Sequence, residues 1–160
     1  MESILNFIDL LSIELTVILT AALPVVELRG AIPVGISLGL SPLHAAVLGF
    51  LGSMIPVPLI LFAIRPIFGY LRQTGPFRKL VGRLTDNSSK NRAKIQRYGV
   101  WGLILLVAIP LPGTGVWSGS LAAALLDMRF KMAFPAILVG NLIAGILIMT
   151  VSGELFKLVY

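Results

Sequence analysis

The chain is 160 residues long, 57% hydrophobic and 12% charged, with a mean hydropathy of +0.96. A soluble domain carries about twice that share of charge, so these values point to an integral membrane protein, and the length fits one domain, residues 1–160. With no cysteine and a single histidine, His44, disulfides, thiolate metal sites and a histidine metal cluster are excluded.

The opening MESILNFIDLLSIEL carries Glu2, Asp9 and Glu14 and no basic residue. A secretory signal needs a positive n-region, so no cleaved signal is expected. Residues 4–22 are apolar, with Asn6, Asp9, Ser12 and Thr16 spaced as a polar stripe. This predicts a helix that lies at the interface or leads into the bilayer. A broken apolar element is expected over residues 15–40, interrupted by Pro24, Gly30 and Pro33 and carrying Glu27 and Arg29. The SPLH run, 41–44, reads as a turn and helix start. Residues 43–64 suffice to span a bilayer, with a kink at Pro56 and Pro58.

Residues 65–98 form a basic loop. Arg65, Arg72, Arg78, Lys79, Arg83, Lys90, Arg92, Lys94 and Arg97 are opposed only by Asp86. The positive-inside rule makes this loop cytoplasmic, and contact with anionic head groups is a compatible role. Its short length between membrane segments argues against a nucleic-acid partner. Within it Phe77, Leu80, Val81 and Leu84 follow i, i+3, i+4, i+7 spacing, the pattern of an interfacial amphipathic helix, ended by DNSS at 86–89. Residues 99–126 return to the membrane, broken by IPLPGTG at 109–115. The DMRFK turn, 127–131, leads to a last span at about 132–151.

Read as a plain span, 99–126 would place Arg129 and Lys131 outside, against the positive-inside rule. Read as a re-entrant hairpin turning at 110–115, it keeps both basic segments cytoplasmic and uses the prolines and glycines. Non-helical backbone at membrane depth survives where it is buried in protein or lines a cavity. The same reading gives 15–40 a turn near 24–30 and an entry from the outside. Aligning Pro24 with Pro112, Gly30 with Gly119 and Gly52 with Gly140 gives nearly equal spacings. The expected fold is therefore an all-α integral membrane protein with interfacial amphipathic helices and an inverted repeat of re-entrant hairpin plus transmembrane helix. Repeat 1 covers about 15–64 and repeat 2 about 99–157. Discontinuous helices meeting at such an interface are a transporter signature.

Ionisable groups at membrane depth are costly and face a cavity or one another. Glu27 and Arg29 are thus the first candidate site residues, either as a structural pair or as a functional one. In the functional reading Arg29 receives an anionic head group and Glu27 is the proton-linked group. Gly30, Pro33, Thr114, Ser118 and Asn141 complete the candidate substrate site. Thr114 and Ser118 supply hydroxyls, and Asn141 serves either the cavity or interhelical packing. Gly49, Gly52, Gly140, Ala144 and Gly145 suit close helix packing, and Tyr98, Trp101 and Trp117 suit interfacial anchors. No nucleophile–base constellation or metal motif is present, so catalysis, a metal and a cofactor are not expected.

ELRGAIPVGISLGL, residues 27–40, resembles the signature of the small multidrug export family of prokaryotic membrane proteins. The resemblance extends over nearly the whole chain, through IPLPGTGVWSG at 109–119. IPLPGTGVWSGSLAAALLDMRF also resembles the second half of DedA (VTT-domain) proteins. That second resemblance implies two facing re-entrant hairpins and movement of lipids, including polyprenyl phosphates, between leaflets. It also implies an acidic residue in the first hairpin, a role Glu27 fits. The arginines usual in the second hairpin are missing here, and Arg29 stands in from the first. The function expected is transport of an amphiphilic anionic lipid, such as a lipid phosphate, across a prokaryotic inner membrane, with possible proton coupling. The alternatives are proton-coupled drug export and a non-transporting protein that organises lipids or partners. The small size favours a homo-oligomer.

Overall fold

The computed structural model describes residues 2–71, 92–111 and 113–159. The amphipathic helix expected around Phe77–Leu84, the turn at 86–89 and Pro112 lie outside them. All regular structure among the described residues is helical: α1 (Glu2–Ala22), α2 (Glu27–Ser37), α3 (Pro42–Met54), α4 (Pro56–Leu71), α5 (Arg92–Ala108), α6 (Val116–Leu125) and α7 (Phe130–Val159).

The first broken element is narrower than its sequence implies. Residues 15–22 continue α1, only 23–26 leave the helix, and Gly30 and Pro33 sit inside α2. Proline within a helix sacrifices one backbone bond. Here Leu28, Ala31, Ile32 and Gly35 bury one face of α2, and that packing outweighs the loss. The second break is as wide as expected, from Ile109 to Gly115. The last helix is longer than expected, since FKMAFP and SGELFKLV keep its apolar periodicity at both ends.

Both short helices stop in the same way. After α2, Gly39 takes φ 96°, Leu40 N–H bonds Gly35 O at 3.0 Å and Gly39 N–H bonds Ile36 O at 3.0 Å. After α6, Asp127 takes φ 50°, Met128 N–H bonds Ala123 O at 2.9 Å and Asp127 N–H bonds Ala124 O at 3.1 Å. These are Schellman endings, each followed at once by a long helix. Ser41 caps α3 by accepting from His44 N–H at 3.3 Å. At the predicted kink α3 ends at Met54 and α4 begins at Pro56, which brings no N–H of its own.

Among the described residues two helical stretches are long and apolar enough to cross a bilayer, Pro42–Ile64 and Phe130–Phe156. They run antiparallel. A Cβ on Gly153 would lie 3.7 Å from Pro42, Asn141 Nδ2 donates to Ser53 Oγ at 2.8 Å, and the Phe62 and Phe130 rings stack at 4.8 Å. The Ser53–Asn141 contact falls near the middle of both stretches, and both residues are buried.

Each long stretch carries a glycine against the helix two before its start. A Cβ on Gly52 would meet Ile18 O and come within 2.9 Å of Ala21, and one on Gly140 would lie 2.8 Å from Ile104 O and Val107. The ends of α1 and α5 are thereby set at mid-length of the long pair. Gly49 packs on Leu28 and Ile32, while Gly145 faces open space and is not the packing residue expected. Two apolar cores result. One joins α1, α2 and α3 through Val17, Leu28, Ile32 and Leu48, and the other joins α4 to α7 through Leu61, Val107, Val116 and Ile137. The outer faces are apolar too. Leu43, Val47, Leu51, Ile55 and Leu59 are all exposed at every fourth position, a continuous face suited to lipid rather than water.

Candidate functional site

The two breaks meet. Glu27 opens α2 with φ 51°, a left-handed backbone that costs a non-glycine residue about 1–3 kcal/mol and tends to cluster at functional sites. The residue is buried, 5% exposed, and its carboxylate crosses to the first turn of α6. Oε1 accepts from Trp117 N–H at 3.2 Å. The first N–H groups of a helix lack intrahelical partners and carry partial positive charge. Glu27 therefore caps α6 from the other half of the chain. Gly115, the residue before α6, leaves the space: a Cβ there would lie 2.7 Å from Oε1, and its φ of 135° suits glycine alone.

Arg29 goes to the opposite pole of the same break. Its Nη2 donates to Ile109 O at 3.0 Å, to Thr114 Oγ1 at 3.0 Å and, at 3.5 Å, to Val107 O, while Nη1 donates to Leu111 O. Apart from the Thr114 hydroxyl, these acceptors are the carbonyls at and beyond the end of α5, where partial negative charge favours a cation. Thr114 Oγ1 also accepts from Leu111 N–H at 3.2 Å and lies 2.7 Å from Ile109 O, which folds the turn onto itself. The first break is served in return. Trp117 Nε1 donates to Ala22 O, the last carbonyl of α1, at 3.2 Å. Backbone that leaves a helix where no water is available must find partners in the protein, and here each break finds them in side chains of the other.

Between them lies an open cleft of about 570 Å³, lined by Pro24, Val25, Val26, Glu27, Arg29, Pro110, Leu111, Gly113, Thr114, Trp117, Ser118 and Leu121. Glu27, Arg29, Thr114 and Ser118 thus share one cleft. Gly30 and Pro33 lie further along α2 and do not line the cleft, and Asn141 is buried against Ser53 between the long helices. Trp117, expected as an interfacial anchor, is half-buried in the cleft wall, whereas Tyr98 and Trp101 are exposed. Trp117 is the cleft residue that sequence reasoning missed. The signal for it was its place at the start of an apolar helix just after the proline–glycine turn. His44 pairs with Glu14 at 3.0 Å, away from the cleft.

Residues 27–147 match the family model described as "Putative small multi-drug export protein". The chain belongs to the small multi-drug export family. The match opens at Glu27, just after the first break, and takes in α2, the second break and most of α7, so Glu27, Arg29 and the α6 side of the cleft lie within the family region while Pro24, Val25 and Val26 precede it. No curated protein and no solved structure matches the chain.

Proposed function

We propose that this small multi-drug export family member is a transporter that moves an amphiphile across the bilayer, with the cleft between the breaks as its substrate site. The observation that carries this reading is the meeting of two polar helix breaks at mid-length of the two long apolar helices. With those helices spanning, the breaks lie near the bilayer centre. The 11 residues of α2 and the 10 of α6 rise about 15 Å each, half of a ~30 Å hydrocarbon core. Each then works as the returning arm of a re-entrant hairpin. The antiparallel long helices make the two hairpins enter from opposite faces, the inverted arrangement in which transporters bind substrate at the repeat interface. Recurrence supports the same reading: Gly39 and Asp127, Gly52 and Gly140, and Ser53 and Asn141 share one separation, 88 residues.

In this reading the site takes an anionic head group, as for a lipid phosphate. Arg29 is the recognition group, and the head group replaces the carbonyls that the guanidinium now holds. Glu27 is the proton-linked carboxylate, and Thr114 and Ser118 contribute hydroxyls. The basic loop, 65–98, faces the cytoplasm of a prokaryotic cell, and a second copy closes the open side of the cleft. The facing hairpins are also what the DedA resemblance leads one to expect. A second reading, proton-coupled export of cationic drugs with Glu27 binding drug and proton in turn, is favoured by the family's description.

Mass spectrometry of lipids that co-purify with wild type and with Arg29→Ala separates the two readings. An anionic lipid enriched over the bulk membrane, and lost from a folded Arg29→Ala protein, is the expected result. Identical bulk-like lipid in both proteins would reject the head-group reading and favour drug export.

A further inference from the structure

Arg29 and Trp117 occupy matching places. Arg29 stands ten residues before Gly39 and Trp117 ten residues before Asp127, the two left-handed residues that end α2 and α6. Their side chains make matching contacts. Arg29 crosses to the carbonyls at the end of α5, and Trp117 Nε1 crosses to the carbonyl at the end of α1. Each short arm therefore holds the long arm of the other hairpin by its last carbonyls. The glycine contacts that seat those long arms match as well, Gly52 on Ile18 and Gly140 on Ile104.

We propose that Arg29 and Trp117 are paired latches, one for each face of the membrane, and that releasing either one opens the cleft towards one side only. This rests on the reading of the cleft as a transport site. The antiparallel long helices supply the reason for two faces. Whatever operation carries one half onto the other also exchanges the two ends of those helices, so contacts related by it serve opposite sides. The cleft is reached without crossing either core, because Ser118 and Leu121 line it and are not fully buried. The latches differ in chemistry. Arg29 uses a charged fork on several acceptors, whereas Trp117 uses one neutral N–H. Bonds to charged groups are the stronger kind, so the Trp117 side opens first. Trp117 is thus a positioning residue, since it holds α1 and, through its backbone N–H, Glu27.

The natural chain has no cysteine, so Ser118→Cys gives a single reporter in the cleft wall. Its labelling by a membrane-impermeant maleimide is measured in sealed right-side-out and inverted vesicles, in three backgrounds: otherwise wild type, Trp117→Phe and Arg29→Leu. Trp117→Phe keeps the ring and removes one hydrogen bond, and is expected to raise labelling about two- to tenfold from one face. Arg29→Leu is expected to raise it from the opposite face. Should Arg29→Leu not yield folded protein, Arg29→Lys is scored, with a smaller rise on the same face as expected for Arg29→Leu. Increases on the same face for both latches, or no change with Trp117→Phe, would overturn the proposal. Face-specific labelling in a protein that moves no amphiphile would uphold the latches and sink the transport reading. Translocation with no face-specific labelling would do the reverse.

Discussion

Gly115→Ala asks whether the second break is shaped around a carboxylate. A Cβ at this position would lie 2.7 Å from Glu27 Oε1, whereas carbon atoms and their neighbours rest at about 3.5 Å. Oε2 would be overlapped outright, so the carboxylate must retreat by roughly 1.5 Å or more, which takes the Trp117 N–H contact of 3.2 Å out of hydrogen-bond range. Losing a buried bond to a charged group costs about 1.5–3 kcal/mol, and holding alanine at φ 135° adds about 1–3 kcal/mol. The expected loss is therefore about 3 kcal/mol or more, read from unfolding in mixed micelles titrated with SDS. Glu27→Gly removes the group that collides but leaves the backbone strain. The double variant is then destabilised by less than the two single variants together. Strict additivity, or a Gly115→Ala protein that unfolds with wild type, would refute the fitted contact.

Other positions separate close packing from open space. Gly140→Ala drives a methyl to within 2.8 Å of Ile104 O and should cost about 1–3 kcal/mol in the same titration, while Gly145→Ala meets nothing within 4 Å and should stay within about 0.5 kcal/mol of wild type. Asn141→Leu removes the bond to Ser53, and stability should fall by about 0.6–1.7 kcal/mol with labelling of the cleft unchanged. His44→Gln breaks a partly exposed pair with Glu14, and thermal unfolding should register a change of no more than about 1 kcal/mol.

Much of the architecture was legible in the sequence because membrane helices announce themselves by length and hydropathy, and their breaks by proline and glycine. The stretch 43–64, its kink at Pro56 and the break at 109–115 follow from those local rules. The extent of the first break did not. Pro33 reads as a breaker, yet α2 runs through it because Leu28, Ala31, Ile32 and Gly35 are packed against their neighbours, and packing is not a local property. Glu27 and Arg29 stood out as charges in an apolar run, and both line the cleft. Apart from the Thr114 hydroxyl, their partners could not be read, since they are backbone groups about 80 to 90 residues away and any residue supplies a backbone N–H or C=O. Trp117 was read as an anchor for the same reason: its donor meets a carbonyl of α1, which no sequence pattern marks.

The central claim, that an amphiphile crosses at the meeting of the two breaks, is tested most directly by translocation in proteoliposomes. The probe is a fluorescent phospholipid with an anionic head group, and a membrane-impermeant reductant scores its arrival in the outer leaflet. Wild type should move it faster than protein-free vesicles do, and Glu27→Gln should fall back towards the protein-free rate. Equal rates for wild type, Glu27→Gln and protein-free vesicles would contradict the account.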